Sequence, residues 1–145
     1  MSDADAIARS AADAMWAGDR ATQAMGMTLD TVTAGRAQIS MTVREDMVNG
    51  HGICHGGFIF ALADSAFAFA CNSRNLVTVA AGARIDFLKP AKLGDRLTGV
   101  SELVHQGKRS GIYDSVVTNQ HGEVIAQFRG NSATIGGPLT EIKES

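Results

Sequence analysis

The strongest constraint on this chain is one stretch, GFIFALADSAFAFACN over residues 57–72, which is apolar nearly all round a helical wheel yet carries a carboxylate. The spacing predicts a helix there, with Phe58, Ile59, Phe60, Leu62, Phe67 and Phe69 spread about its circumference. Such a helix must be wrapped by other elements, because no single face of it can be left to water. Asp64 lies about two turns inside, too deep to serve as an N-cap, and its neighbours at helical spacing are Phe60, Ala61, Phe67 and Ala68. A buried carboxylate without a partner is costly or shifts its pKa upward. Asp64 therefore either pairs with a buried arginine or caps a backbone group, or it is a tuned acid, base or nucleophile.

The rest of the chain supplies the wrapping. Residues 4–17 carry an apolar stripe at helical spacing that ends at Gly18, and 20–25 reads as a further helical turn. From Arg36 the period changes: Ala37, Ile39, Met41 and Val43 alternate with polar residues, which predicts a half-buried strand. Its hairpin partner is expected at 27–33, across Ala34-Gly35. Residues 45–56 show no period and read as a loop. Strands are expected near 77–88, 96–106, 110–119 and 123–134, with Pro90 and Gly94-Asp95, QGKRSG (106–111) and NQHGE (119–123) as the turns. This order predicts one α+β domain over 1–145, an antiparallel sheet rolled around the central helix. Residues 1–26 form its N-terminal helical segment and 137–145 its tail.

The carboxylate has company in NGHGICHGG, residues 49–57. A glycine pair opening a helix offers unshielded N–H groups at the positive end of the helix dipole, a geometry suited to an anion or an oxyanion. Eight helical steps at ~1.5 Å separate Gly56 from Asp64 by roughly 12 Å, whereas two groups acting on one carbon must converge within ~3–3.5 Å. One chain therefore cannot bring both to the same atom. An antiparallel copy of the helix could, which predicts a homodimer with two equivalent composite sites.

These motifs, HGICHGGFIFALADSAFAFACNS followed by IDFLKPAKLGD and HQGK, resemble the hotdog-fold thioesterases of the PaaI type from about Asp46 to Gly137. The resemblance implies a sheet continuous across two protomers, dimers that pair into homotetramers, and hydrolysis of acyl-CoA thioesters, (hydroxy)phenylacetyl-CoA or similar aryl and medium-chain acyl groups among them. It implies Asp64 as nucleophile or general base, the Gly56 N–H as the group polarising the carbonyl, His55 beside it, and Asn49 orienting water or substrate. Some relatives place a serine or threonine near Ala80, and alanine cannot take that part.

Coenzyme A brings phosphates. The turn Gly107, Lys108, Arg109, Ser110 joins cations to free N–H groups and is the first candidate to meet them, with Gly57, Lys89 and Lys92 as further contacts. No cofactor is expected. His51, Cys54 and His55 lie within five residues, but no carboxylate support or fourth ligand accompanies them, so no metal is expected. Ser65 adjoins Asp64 without a histidine to activate it, and His105 and His121 read as solvated turn residues. A net charge of −2 argues against nucleic acid as partner. The alanine-rich, acidic start and the absence of a long apolar run argue against secretion and membrane insertion and leave the cytoplasm. Two rival functions fit the fold: an acyl-thioester dehydratase, which is expected to carry a histidine-proline loop absent here, and a non-catalytic acyl-CoA sensor, which has no need of Asp64.

Overall fold

The computed structural model describes residues 2–142. In chain order the elements are α1 (Asp3–Gly18), α2 (Arg20–Ala24), β1 (Thr28–Thr33), β2 (Arg36–Thr42), a 3-10 turn (Glu45–Met47), α3 (Gly56–Cys71), β3 (Thr78–Phe87), β4 (Arg96–Gln106), β5 (Ser110–Thr118) and β6 (Val124–Thr134). The six strands form one antiparallel sheet in the order β1-β2-β4-β5-β6-β3. The hotdog fold expected from the sequence is what forms.

Small residues on the concave face let α3 come close. A Cβ on Gly130 would meet the Phe67 ring at 2.7 Å, and one on Gly99 would meet Leu62 at 3.3 Å. Around those gaps Phe67, Phe128 and Tyr113 pack ring on ring, with centroids 5.7 Å apart in each pair with Phe67. Each such large side chain, fully buried, contributes about 1.5–3 kcal/mol. The buried residues of α3 are Ile59, Leu62, Ala63, Ala66, Phe67, Phe69, Ala70 and Cys71. The helix is thus not wrapped all round: Gly57, Ala61, Asp64 and Ala68, at helical spacing, form a stripe that the chain's own sheet leaves partly open. That is the main departure from the expected packing.

The region 45–56, expected as a featureless loop, is more ordered than its sequence suggests. The 3-10 turn buries Met47, Val48 bridges Cys54, and the Cys54 N–H donates to the Ala91 carbonyl at 2.8 Å. One side chain also ties the helix end to β3: the Asn72 amide donates to the Thr78 carbonyl at 2.9 Å and its Oδ1 accepts from the Thr78 N–H at 2.9 Å. At the other end, Gly56 lies against Phe87. Helix α3 and strand β3 therefore run antiparallel, Gly56 beside Phe87 and Asn72 beside Thr78.

Candidate active site

The mouth of α3 is built by its cap. His55 is the N-cap, and its Nδ1 accepts from the Gly57 N–H at 2.9 Å. An imidazole accepting at Nδ1 in its neutral form carries its proton on Nε2. A Cβ on Gly57 would meet that same Nδ1 at 3.0 Å, so glycine there is what admits the ring. The Phe58 N–H turns back to the His55 carbonyl at 3.0 Å. Of the N–H groups that open the helix, the one at Gly56 has no acceptor among the described residues. The sequence offered two glycine amides for an oxyanion, and the structure leaves one, because His55 takes the other.

Gly56 opens onto a cleft of about 410 Å³ lined by Asn49, Ile53, Ile59, Phe87, Leu88 and Lys89 among others. The Asn49 Oδ1 accepts from the N–H groups of His51 and Ile53, at 2.9 and 3.3 Å. Two donors on that atom identify it as the oxygen, so the group Asn49 has left for a ligand is its amide NH₂, a donor. The neighbouring wall is Phe87, whose ring a Cβ on Gly56 would approach to 3.0 Å.

Asp64 is elsewhere on the helix. At ~100° per residue it lies about 40° from Phe60 and 60° from Phe67 around the axis, and both of those rings rest on Phe128 of β6. It therefore occupies the flank of α3 nearest β6 and β3, half-buried at the border of the open stripe. Among the described residues it makes no ion pair and no hydrogen bond through its carboxylate. Among those residues the buried arginine that the sequence allowed as its partner is not there. Burial raises its pKa above the ordinary 3.8. Ala80, the position of the missing hydroxyl, faces the concave side of β3 opposite Ser132.

The surroundings of the other candidate nucleophiles disfavour them. Burial, then the charge of Asp95, pushes the Cys54 thiol up to about 11; burial, then Asp64, pushes Cys71 up to about 12. The Ser65 hydroxyl lies 3.5 Å from that of Thr22, with no histidine hydrogen-bonded to it among the described residues. Nor, among those residues, do three His, Cys, Asp or Glu side chains converge as a metal-binding group.

The cations fall into two sets at opposite ends of the sheet. Lys89 and Lys92 lie at the Gly56 end, in a shallow recess of about 210 Å³ that shares Lys89 and Pro90 with the cleft. Lys89 is engaged by Glu123 at 2.6 Å. Gly107, Lys108, Arg109 and Ser110 lie at the Thr78 end, where the Arg109 carbonyl accepts from the Thr134 N–H at 2.7 Å. His121 is exposed in its turn as expected, while His105 is an exposed residue of β4 and not of the turn itself. No described helix is long and apolar enough to cross a membrane.

Residues 51–126 match the family described as Thioesterase superfamily. Over 129 residues the chain is 46% identical to the acyl-coenzyme A thioesterase PaaI of Escherichia coli K12, covering 89% of this chain and 92% of that protein. The solved structure of the E. coli PaaI protein from the phenylacetic acid degradation operon superposes with a TM-score of 0.92 at 44% identity, covering 94% and 99% of the two chains. A hypothetical thioesterase from Streptococcus pneumoniae TIGR4, solved with coenzyme A, superposes with a TM-score of 0.75 at 28% identity over 77% of this chain and 88% of its own.

Proposed function

We propose that this chain, which belongs to the Thioesterase superfamily, hydrolyses acyl-CoA thioesters at a site shared between two copies of itself. The activity class follows from that membership and from its close similarity to PaaI. The division of labour within the site is our reading of the geometry. The observation that carries it is the separation of the two reactive groups: the free Gly56 N–H opens onto the cleft, while the unpartnered Asp64 carboxylate sits about 12 Å further along the same helix.

In this reading the thioester carbonyl lies in the cleft against Gly56. Its oxygen accepts from the Gly56 N–H at the positive end of α3, with the Asn49 amide as a second donor. Such a donor is typically worth ~2.7–4 kcal/mol to the transition state. Asp64 of the partner subunit approaches the carbonyl carbon from the other side. As a general base it takes a proton from water while the hydroxyl oxygen bonds to the carbonyl carbon. The tetrahedral adduct then collapses, breaks the C–S bond and expels the thiolate, which takes up the proton. Direct attack by Asp64 would instead give a mixed anhydride that water hydrolyses. The thiolate leaves readily in either route, so no strong leaving-group acid is required. His55 does not relay protons through Nδ1, which is committed to Gly57; it holds the helix mouth in shape.

In an antiparallel dimer the 107–110 turn of one subunit approaches the Lys89–Lys92 end of the other, so both sets of cations flank one coenzyme A. The acyl groups we favour are phenylacetyl and hydroxyphenylacetyl or other aryl and medium-chain groups, after the PaaI relative. A second pairing of dimers into a tetramer would follow the same relative. The test is thiol release from a panel of acyl-CoAs by the wild type and Asp64→Asn. The variant should lose at least ~10²-fold in kcat while still binding coenzyme A, the scale of a positioned acid–base group. Equal rates would defeat the assignment. A hydrated or dehydrated acyl group still attached to coenzyme A would instead favour the dehydratase, and binding without turnover the sensor.

A further inference from the structure

The chain builds one turn twice. In Asn49-Gly50-His51-Gly52-Ile53 and in Asn119-Gln120-His121-Gly122-Glu123, the asparagine N–H donates to the carbonyl of the last residue, at 2.8 and 3.1 Å. Its own carbonyl accepts from the N–H of the second glycine, Gly52, or of Gly122, at 3.0 Å in both. Those two glycines take positive φ, 80° and 76°. In each turn the asparagine Oδ1 also accepts from two N–H groups further on. They are His51 and Ile53 at 2.9 and 3.3 Å in the first turn, and His121 and Glu123 at 3.0 Å each in the second. Two differences separate the twins. Asn49 is followed by Gly50, Asn119 by Gln120. The Asn119 amide nitrogen donates to Glu123 Oε1 at 3.1 Å, whereas that of Asn49 has no partner among the described residues.

Those differences expose Asn49 to a reaction of the chain with itself. We propose that Asn49 is a deamidation site, where the Gly50 nitrogen closes on the Asn49 side-chain carbonyl and loss of ammonia turns the amide at the cleft into a carboxylate. The chemistry stands on the turn alone; its effect on turnover rests on the shared-site reading, in which that amide is the second carbonyl donor.

An Oδ1 bonded to the N–H two residues on curls the side chain forward over its own peptide, toward the next backbone nitrogen. That nitrogen belongs to exposed Gly50 and donates to nothing among the described residues. With no Cβ on Gly50, nothing shields it from base or from the approach to Cγ. Base removes the Gly50 amide proton, the nitrogen bonds to Asn49 Cγ, and the carbonyl electron pair moves onto Oδ1. The charge settles between the His51 and Ile53 N–H groups, which already hold that atom and so stabilise it. The adduct collapses by breaking the Cγ–Nδ2 bond, and Nδ2 takes a proton from water and leaves as ammonia. Water then opens the cyclic imide, at Cγ to give aspartate or at the Asn49 backbone carbonyl to give isoaspartate. The sum is amide and water to acid and ammonia. Either product sets a negative charge where the thioester oxygen develops its own, and isoaspartate also lengthens the loop backbone. At Asn119 the Gln120 side chain crowds the same approach, and Glu123 holds the departing nitrogen.

The test holds the full-length protein in warm, mildly alkaline buffer and follows peptide masses and thiol release together. The peptide carrying Asn49 should gain about 1 Da and show isoaspartate, Asn119 should stay intact, and kcat should fall in step. Gly50→Ala puts a Cβ into open space at a residue without positive φ. It should start at the wild-type rate and keep that rate, with the mass change slowed several-fold. Asn49→Asp retains the Oδ1 acceptor and should melt near the wild type, while losing at least ~10-fold in kcat. An Asn49 that keeps its amide throughout, or an Asn119 that converts as fast, would overturn the proposal. Conversion of Asn49 with kcat unchanged would overturn the loss of function and the donor role of its amide. A fully active Asp64→Asn would instead sink the shared site and leave the mass change as it is.

Discussion

The two edges of the sheet are unlike each other. At one edge, the six-residue β1 has α1 packed along it, and its exposed side chains are threonines, Thr28 and Thr31. The β1–β2 turn is pinned to α1 and to the end of α3, and α1 to α3: Asp5 Oδ1 accepts from the Ala34 N–H at 2.9 Å, Ser73 Oγ accepts from the Gly35 N–H at 2.8 Å, and Trp16 packs on Phe69 with centroids 6.2 Å apart. At the other edge, the ten-residue β3 has no helix among the described residues along its free side. It and the residue after it expose Val79, Phe87 and Leu88 at 43%, 53% and 54%. A bare, long, apolar edge invites pairing with another strand, and proteins that do not want that cover or shorten it. This chain covers one edge and leaves the other. The two groups we propose as reactive gather on the uncovered side: the Gly56 amide beside Phe87, and Asp64 on the flank of α3 that faces β6 and β3.

The largest effect should come from the β3 side. Gly56 is the first residue of α3, where proline is well tolerated, and His55 before it already has the extended φ −59°, ψ 132° that a following proline requires. Gly56→Pro thus deletes the free N–H and keeps the helix. Its kcat should fall ~10²–10³-fold with the melting temperature little changed. Gly56→Ala keeps the N–H and serves as the control for crowding against Phe87. A Gly56→Pro variant with normal kcat would remove the oxyanion role.

A smaller effect separates the edges directly. Val79→Glu, on the bare edge, should weaken self-association by roughly tenfold and reduce activity at low protein concentration. Thr31→Glu, on the covered edge, should leave both within about twofold. Sedimentation and thiol release at several protein concentrations would read out both variants. Equal sensitivity at the two edges would break the comparison.

The smallest effect concerns charge. Burial holds the Asp64 pKa above 3.8, so the folded protein binds this proton more tightly than the unfolded chain does. Stability from this group is present below the unfolded value and declines as pH rises from 3.8 through the raised folded value. Asp64→Asn should therefore melt at a higher temperature than the wild type at neutral pH, with the gain disappearing in acid. The acid limb of the wild-type rate should lie above the ordinary aspartate range. A variant that melts lower at neutral pH would mean the carboxylate has a stabilising partner.

Much of this was legible in the sequence, and the reasons differ by region. The central helix, the alternation in β2 and the turns at 94–95 and 119–123 were readable because period and turn chemistry are local. The oddity of Asp64 was readable for the same reason: its helical neighbours are all apolar. The consumption of the Gly57 amide was not, because nothing in HGG says that the histidine ring folds back onto the second glycine. The order hidden in 45–56 was missed because it depends on a distant acceptor, the Ala91 carbonyl. Which edge is covered was also invisible, since the stripe of α1 says that it packs but not on what. The open stripe of α3 was misjudged because an all-apolar helix looks the same whether its last face meets its own chain or a second one.

The central claim is that each site takes its carboxylate from one subunit and its amide from the other. Mixing two inactive variants, Asp64→Asn and Gly56→Pro, and allowing subunits to exchange tests it most directly. Half of the dimers would then be mixed, and each would hold one site with both defects and one with neither. Thiol release should return to about a quarter of the wild-type rate. If the mixture stays as inactive as its components after exchange has been verified, both groups act within one chain and the account is wrong.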